Sequence, residues 1–157
     1  MTKSFLTLTV LLLTIVAFCT ERETIRDAHG KVIGTATTDG NRTVYRDASG
    51  KVTGTATTNG NKTTYRDSSG RTTGTATENG NRTTFRDSTG KATGTATTNG
   101  NRTTFREATG ASAGSSTSNG NRTTYRDAHG SIVGTSTSTG SGSGTSQTPP
   151  ILIPTSK

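Results

Sequence analysis

Between Ile25 and Thr139 the chain repeats a 20-residue unit six times without an insertion or deletion. An aromatic residue or Ile stands at Ile25, Tyr45, Tyr65, Phe85, Phe105 and Tyr125, followed each time by Arg, then an acid, then Gly three residues after the acid. Gly34 and Gly40 recur with the same period, as does Asn41 until the last copy. A period of this size marks architectures in which a unit too small to bury a face alone buries it against its neighbours. Composition by itself argues the other way. Only 25% of the 157 residues are hydrophobic, and about a third of those fall in the first nineteen, which leaves little apolar area to offset chain entropy. An unfolded linker has no reason to keep an aromatic, an acid and three glycines in phase, so the period predicts ordered β-structure.

The ends of the chain differ from the array. Lys3 precedes a nearly unbroken apolar run from Phe5 to Cys19, a basic n-region with an h-region too short to span a membrane comfortably as a helix. Residues 1–19 therefore read as a signal peptide, with a membrane anchor as the alternative. Ala17 and Cys19 satisfy the small-x-small cleavage pattern, and Val16-Ala17-Phe18-Cys19 resembles a bacterial lipoprotein signal, which implies lipidation at Cys19. The expected location is exported: periplasm, outer membrane if lipidated, or extracellular. Residues 20–24 form a short lead-in, 25–139 the six hairpin repeats, and 140–157 a flexible Gly/Ser/Pro tail whose Ile151-Leu152-Ile153 segment caps the last hairpin or docks elsewhere. Cys19 is the only cysteine, so the repeats contain neither a disulfide framework nor thiol chemistry.

Each unit holds two turn signals. Asn59-Gly60, Asn79-Gly80, Asn99-Gly100 and Asn119-Gly120, with Asp39-Gly40 as a variant, predict two-residue type I′ hairpins. Asp47-Ala48-Ser49-Gly50 and its equivalents predict a second turn, in which Asp bonds its own backbone and Gly takes a left-handed conformation. The strands between run over 31–38 and 41–46. Antiparallel counting from the first turn sets Gly34 opposite Tyr45, and from the second sets Arg46 opposite Lys51 and Tyr45 opposite Val52. Both counts place Tyr45 on one face with Val32, Gly34, Ala36, Val52 and Gly54.

The strand glycines then acquire a role. A ring at Tyr45, Tyr65, Phe85, Phe105 or Tyr125 covers the backbone exposed by Gly34, Gly54, Gly74, Gly94 or Gly114. The face so formed is too thin to remain open, so the expected fold is all-β: a repetitive antiparallel hairpin meander of about a dozen strands, wrapped or closed. A β-solenoid with 20-residue rungs is the alternative, and tight reversals favour the hairpins.

No catalytic constellation is present. His29 and His129 occupy one turn position in the first and last units, and one carboxylate per unit falls short of the oxygens that calcium needs, so neither a metal nor another cofactor is expected. The formal net charge of +8 points instead to polyanions. Candidate contacts are Arg42, Lys62, Arg82, Arg102 and Arg122 near one turn. Near the other are Arg46, Lys51, Arg66, Arg71, Arg86, Lys91, Arg106 and Arg126. The competing account of these residues is a solvated face that keeps the sheet soluble. The Thr-x-Thr series from Thr35/Thr37 to Thr135/Thr137 looks like an ice-binding array, though an intervening meander strand is expected to break its spacing. Sequons at Asn41, Asn61, Asn81, Asn101 and Asn121 matter only in a eukaryotic secretory pathway.

Tyr45, Asp47, Gly50, Lys51, Gly60 and Asn61, with their equivalents across residues 25–134, resemble the YD repeats of Rhs-type shells. That resemblance implies wrapped β-sheet without catalytic residues. The functional expectation is an exported, non-enzymatic protein that binds or scaffolds at the envelope through a basic Arg/Thr-rich face. Its partners would be anionic polysaccharide, lipopolysaccharide or other envelope components rather than nucleic acid, with self-association through a sheet face or edge as a further route. A purely structural spacer is the alternative.

Overall fold

The computed structural model of the protein describes residues 20–140, all of them in or between β-strands. Strands alternate between short and long: β1 (Glu21–Asp27), β2 (Val32–Asp39), β3 (Arg42–Asp47), β4 (Val52–Asn59), β5 (Lys62–Asp67), β6 (Thr72–Asn79), β7 (Arg82–Asp87), β8 (Ala92–Asn99), β9 (Arg102–Glu107), β10 (Ser112–Asn119), β11 (Arg122–Arg126) and β12 (Ile132–Thr139). Each pairs antiparallel with its sequence neighbour, and β1 pairs with β12, so the meander closes into a twelve-stranded barrel. Closure satisfies the backbone edge that an open sheet would expose. Of the residues expected as a lead-in, 20–24, all but the first belong to β1. The segment expected as a signal peptide, Cys19 with its expected lipidation, and the tail beyond Gly140 lie outside the described residues.

The two turns differ in chemistry and position. At the first, Asp39 pairs with Arg42, so the two-residue loop is Gly40-Asn41, not Asp39-Gly40. Gly40 has a φ of 57° and among the described residues no non-glycine has positive φ, which is the glycine-first order of a type II′ turn rather than type I′. The pairing consequently moves by two residues: Tyr45 stands opposite Ala36, not Gly34. A shift of two preserves the face of every side chain, so Gly34 and Ala36 stay on the inward face with Tyr45.

At the second turn, Gly50 N–H donates to the Asp47 carbonyl at 3.0 Å and Asp47 N–H to the Lys51 carbonyl at 3.0 Å. Asp47, not Arg46, therefore stands opposite Lys51. Beyond it the register slips by one, because Arg46 pairs with Val52 and Tyr45 with Gly54, leaving Thr53 as a bulge. Val52 consequently faces Arg46 and not the aromatic ring. Every second turn carries the same slip.

Inside the barrel, Ile25, Tyr65, Phe105 and Tyr125 are buried with Ala36, Ala56, Ala76 and Ala96, and Ser116 and Ser136 take the alanine position in the last two units. Small residues on long strands leave room for large ones on short strands. Each aromatic lies opposite the glycine of the following strand: Tyr45 opposite Gly54, Tyr65 opposite Gly74, Phe85 opposite Gly94, Phe105 opposite Gly114. The glycine opposite each ring is therefore on the following strand and not on the preceding one, where the sequence count placed it. Gly54 has a second cause, since a Cβ there would stand 2.5 Å from the backbone oxygen of Arg66. The neighbouring main chain occupies the place of its side chain.

Following the pairing from Arg42 to Thr57 and on to Thr64 reaches a point two residues beyond Lys62, the equivalent of Arg42. The seam keeps the same step, from Arg122 through Thr137 to Thr24. Two residues for each of six units make a stagger of twelve around twelve strands. With ordinary strand rise and spacing this sets a tilt of roughly 35°, within the range of closed barrels. Residues twenty apart therefore sit at one height around the barrel.

Candidate polyanion-binding surface

The stagger arranges the outward cations in two rings. One comprises Arg26, Arg46, Arg66, Arg86, Arg106 and Arg126 near the Asp-containing turns; the other comprises Arg22, Arg42, Lys62, Arg82, Arg102 and Arg122 near the Gly-Asn turns. All twelve side chains are exposed. Arg22 and Arg26 complete the rings and were absent from the sequence candidates. Their signal was the spacing itself: Arg22 is twenty residues before Arg42, and Arg26 twenty before Arg46.

The ring near the Asp turns is tethered. Arg46 Nη1 donates to the Gly50 carbonyl at 3.0 Å, and Arg26, Arg66, Arg86, Arg106 and Arg126 make the same bond to Gly30, Gly70, Gly90, Gly110 and Gly130. Within the same loop, Asp47 Oδ1 accepts from Ser49 Oγ at 2.6 Å, Ser49 N–H at 2.9 Å and Lys51 N–H at 3.0 Å. The Ser49 hydroxyl, with the backbone donors and the Lys51 charge, holds the Asp47 carboxyl below its ordinary pKa; Asp67 and Asp87 follow with Ser69 and Thr89. The expected like-charge oppositions Arg46/Lys51, Arg66/Arg71 and Arg86/Lys91 do not form. Lys51, Arg71 and Lys91 come opposite Asp47, Asp67 and Asp87 instead, and the arginines pair with Val52, Thr72 and Ala92. In the fifth unit Glu107 is one methylene longer, and Thr109 Oγ1 takes over the Ala111 N–H at 3.4 Å.

The ring near the Gly-Asn turns is open. Its cationic groups make no hydrogen bond or ion pair with the described protein, although each has hydrogen-bonding neighbours. On the following strand the cross-strand partners of Arg42, Lys62, Arg82, Arg102 and Arg122 are Thr57, Thr77, Thr97, Thr117 and Thr137, and Arg22 has Thr37. On the preceding strand Lys62, Arg82 and Arg102 face Asn59, Asn79 and Asn99, while Arg42 alone faces an acid, Asp39. Bonds such as Asn41 Nδ2 to Asn59 Oδ1 at 3.3 Å link successive turns around this rim.

Threonine fills the outer belt between the rings. The intervening short strands were expected to break the Thr-x-Thr array, yet they contribute Thr64, Thr84, Thr104 and Thr124 to it. The belt follows a curved barrel and does not present a flat plane. Thr and Arg also stand where a membrane-spanning barrel carries its apolar band, on strands of 5 to 8 residues, shorter than such a span requires. Among the described residues no helix is long and apolar enough to cross a membrane.

The interior holds one feature that the repeat did not announce. Glu23 occupies the inward position that Thr43 and Thr63 take elsewhere. Burial raises its carboxyl above the ordinary value, a hydrogen bond to Ser136 opposes this, and the Glu21 charge adds to the rise. Ser136 Oγ also lies 3.2 Å from the Tyr125 hydroxyl, and burial with the Glu23 charge pushes that phenol up to about 12. Tyr45 is raised further, by burial first and then by Tyr65, Glu23 and Tyr125. Glu21 accepts a short hydrogen bond from Ser138 Oγ. These contacts join β1 to β12 and its neighbour β11, at the seam where the barrel closes. His29 and His129 sit in exposed turns, donating their backbone N–H to Asp27 and Asp127 at 2.9 Å.

No family model matches the chain, and no curated protein matches it.

Proposed function

We propose that the protein is an exported, non-enzymatic β-barrel that binds acidic polymers of the cell envelope or surface through its basic outer wall. The observation that carries this reading is the exposure of twelve cations in two rings, with threonine hydroxyls between them. Chains carrying an excess of one charge attract the opposite charge along a broad front, and a polymer gains by touching several sites at once. The likeness to YD repeats belongs to the same reading, since hairpin units there build sheet and carry no catalytic residues.

Retention of the mature protein on an immobilised acidic polysaccharide at low ionic strength, lost at moderate salt, is the expected result. Elution together with a neutral protein of similar size would overturn the reading. A structural spacer is the second possibility, and the self-contained hydrogen bonding of each Asp turn favours it; such a protein would elute with the neutral control.

A further inference from the structure

The two rings carry equal charge but differ in what their side chains already do. Each arginine of the Arg46 ring is held to a glycine carbonyl of its own turn, within 2.8–3.0 Å. Moving it to an external anion would give up that bond. The cations of the Arg42 ring hold no such bond, and each stands opposite a threonine on the following strand. We infer that the open ring of Arg22, Arg42, Lys62, Arg82, Arg102 and Arg122 is the anion-contacting site, and that its partner is a long acidic polysaccharide with one carboxylate per disaccharide. This rests on the polyanion reading above and assigns it a place and a ligand class.

Spacing supports the choice of ligand. Neighbouring members of the ring are two strands apart, roughly 12 Å along the surface at ordinary strand spacing and tilt. That exceeds the Debye length at physiological salt, about 8 Å, so the cations do not act together on a compact anion. A small phosphate would meet one cation at a time. A polymer whose charges recur about once per extended disaccharide meets successive cations in turn, and its hydroxyls meet the threonines beside them. Nucleic acid offers phosphates far more closely, about 3.4 Å apart along a strand, and the outer wall has no aromatic residue on which bases would stack. Arg42 is the weakest member, because Asp39 stands opposite it.

The test compares two triple variants that remove the same charge. Binding of the mature protein to hyaluronan, a polymer with one carboxylate per disaccharide, is measured at low salt by titration. Arg42→Gln/Lys62→Gln/Arg82→Gln is expected to weaken binding at least tenfold. Arg46→Gln/Arg66→Gln/Arg86→Gln, which removes the same three charges, is expected to change it less than threefold. Should the second variant fail to fold by circular dichroism, Asp39→Asn replaces it: this exposed change is expected to tighten binding, and unchanged or weaker binding would overturn the assignment. Equal losses in the two triple variants, with wild-type binding intact, would leave the broader reading standing and overturn this one. No wild-type binding to any polyanion would overturn both. Binding to phosphatidylglycerol/phosphatidylcholine vesicles but not to hyaluronan would overturn the polysaccharide assignment in favour of a lipid surface.

Discussion

At the residue scale, two positions separate what the repeat requires from what the seam requires. Gly54 is fixed by main-chain proximity, because a methyl group would lie 2.5 Å from the Arg66 carbonyl oxygen. Gly54→Ala is therefore expected to cost about 2–3 kcal/mol in a urea unfolding measurement, the range of forced overpacking in a close-packed site. A loss below the error of the fit would show that the neighbouring strand yields. Glu23 is the opposite case, a departure from the repeat that carries a pH dependence. Its folded carboxyl is raised, chiefly by burial, so the folded state holds this proton more tightly than the unfolded chain. The stability that Glu23 contributes is present below the unfolded carboxyl value and lost as pH rises through the folded one. Glu23→Gln should match the wild type at about pH 4 and exceed it at about pH 8. A variant less stable at the higher pH would mean that the charged carboxylate helps to hold the seam.

At the scale of elements, the governing fact is which two residues form the tight turn. The sequence Asn59-Gly60-Asn61 contains both an Asn-Gly and a Gly-Asn pair, and pattern reading favours the first while the structure uses the second. Gly60 has a φ of 59° with open space around it, so Gly60→Ala is expected to cost about 1–2 kcal/mol through backbone strain. Asn59 is the last residue of β4 and not a central turn residue, so Asn59→Ala should cost less than about 0.5 kcal/mol. The reverse order would restore the type I′ assignment. This ambiguity also explains how much was legible beforehand. The strand set and the placing of the ring on one face with glycine and alanine follow from periodicity alone, because a two-residue slip preserves every face; the one-residue slip after each Asp turn instead sets Val32 and Val52 opposite the outward Arg26 and Arg46. The partners do not follow from it, and neither do the bulges at Thr53 and its equivalents. The cation candidates were visible as a list, but their division into tethered and open rings depends on hydrogen bonds to glycine carbonyls that no spacing encodes.

At the scale of the molecule, closure turns a linear array into a ring and alters what each copy must do. Five Gly-Asn turns join the six units, and the sixth position is the seam. Glu21, Glu23, Ser136 and Ser138 make contacts across or beside β1–β12, the one neighbouring pair among the described strands that no turn joins. Stability in such a ring is not a sum over independent units, because removing one would change circumference and stagger together. The polyanion rings depend on the same closure, which brings Arg22 and Arg122 to the same height on β1 and β11, with β12 between them. Thr24 and Thr137 are direct outward partners across the seam, at a separation that an antiparallel pair shares with a disulfide, about 4.5–5.5 Å between Cα atoms. The measurement that bears most directly on the closed barrel is therefore oxidation of the Thr24→Cys/Thr137→Cys variant of the mature chain, followed by non-reducing electrophoresis and circular dichroism. The closed barrel predicts a disulfide within one chain, formed in high yield with the β-spectrum unchanged, whereas free thiols or crosslinks only between chains would contradict it.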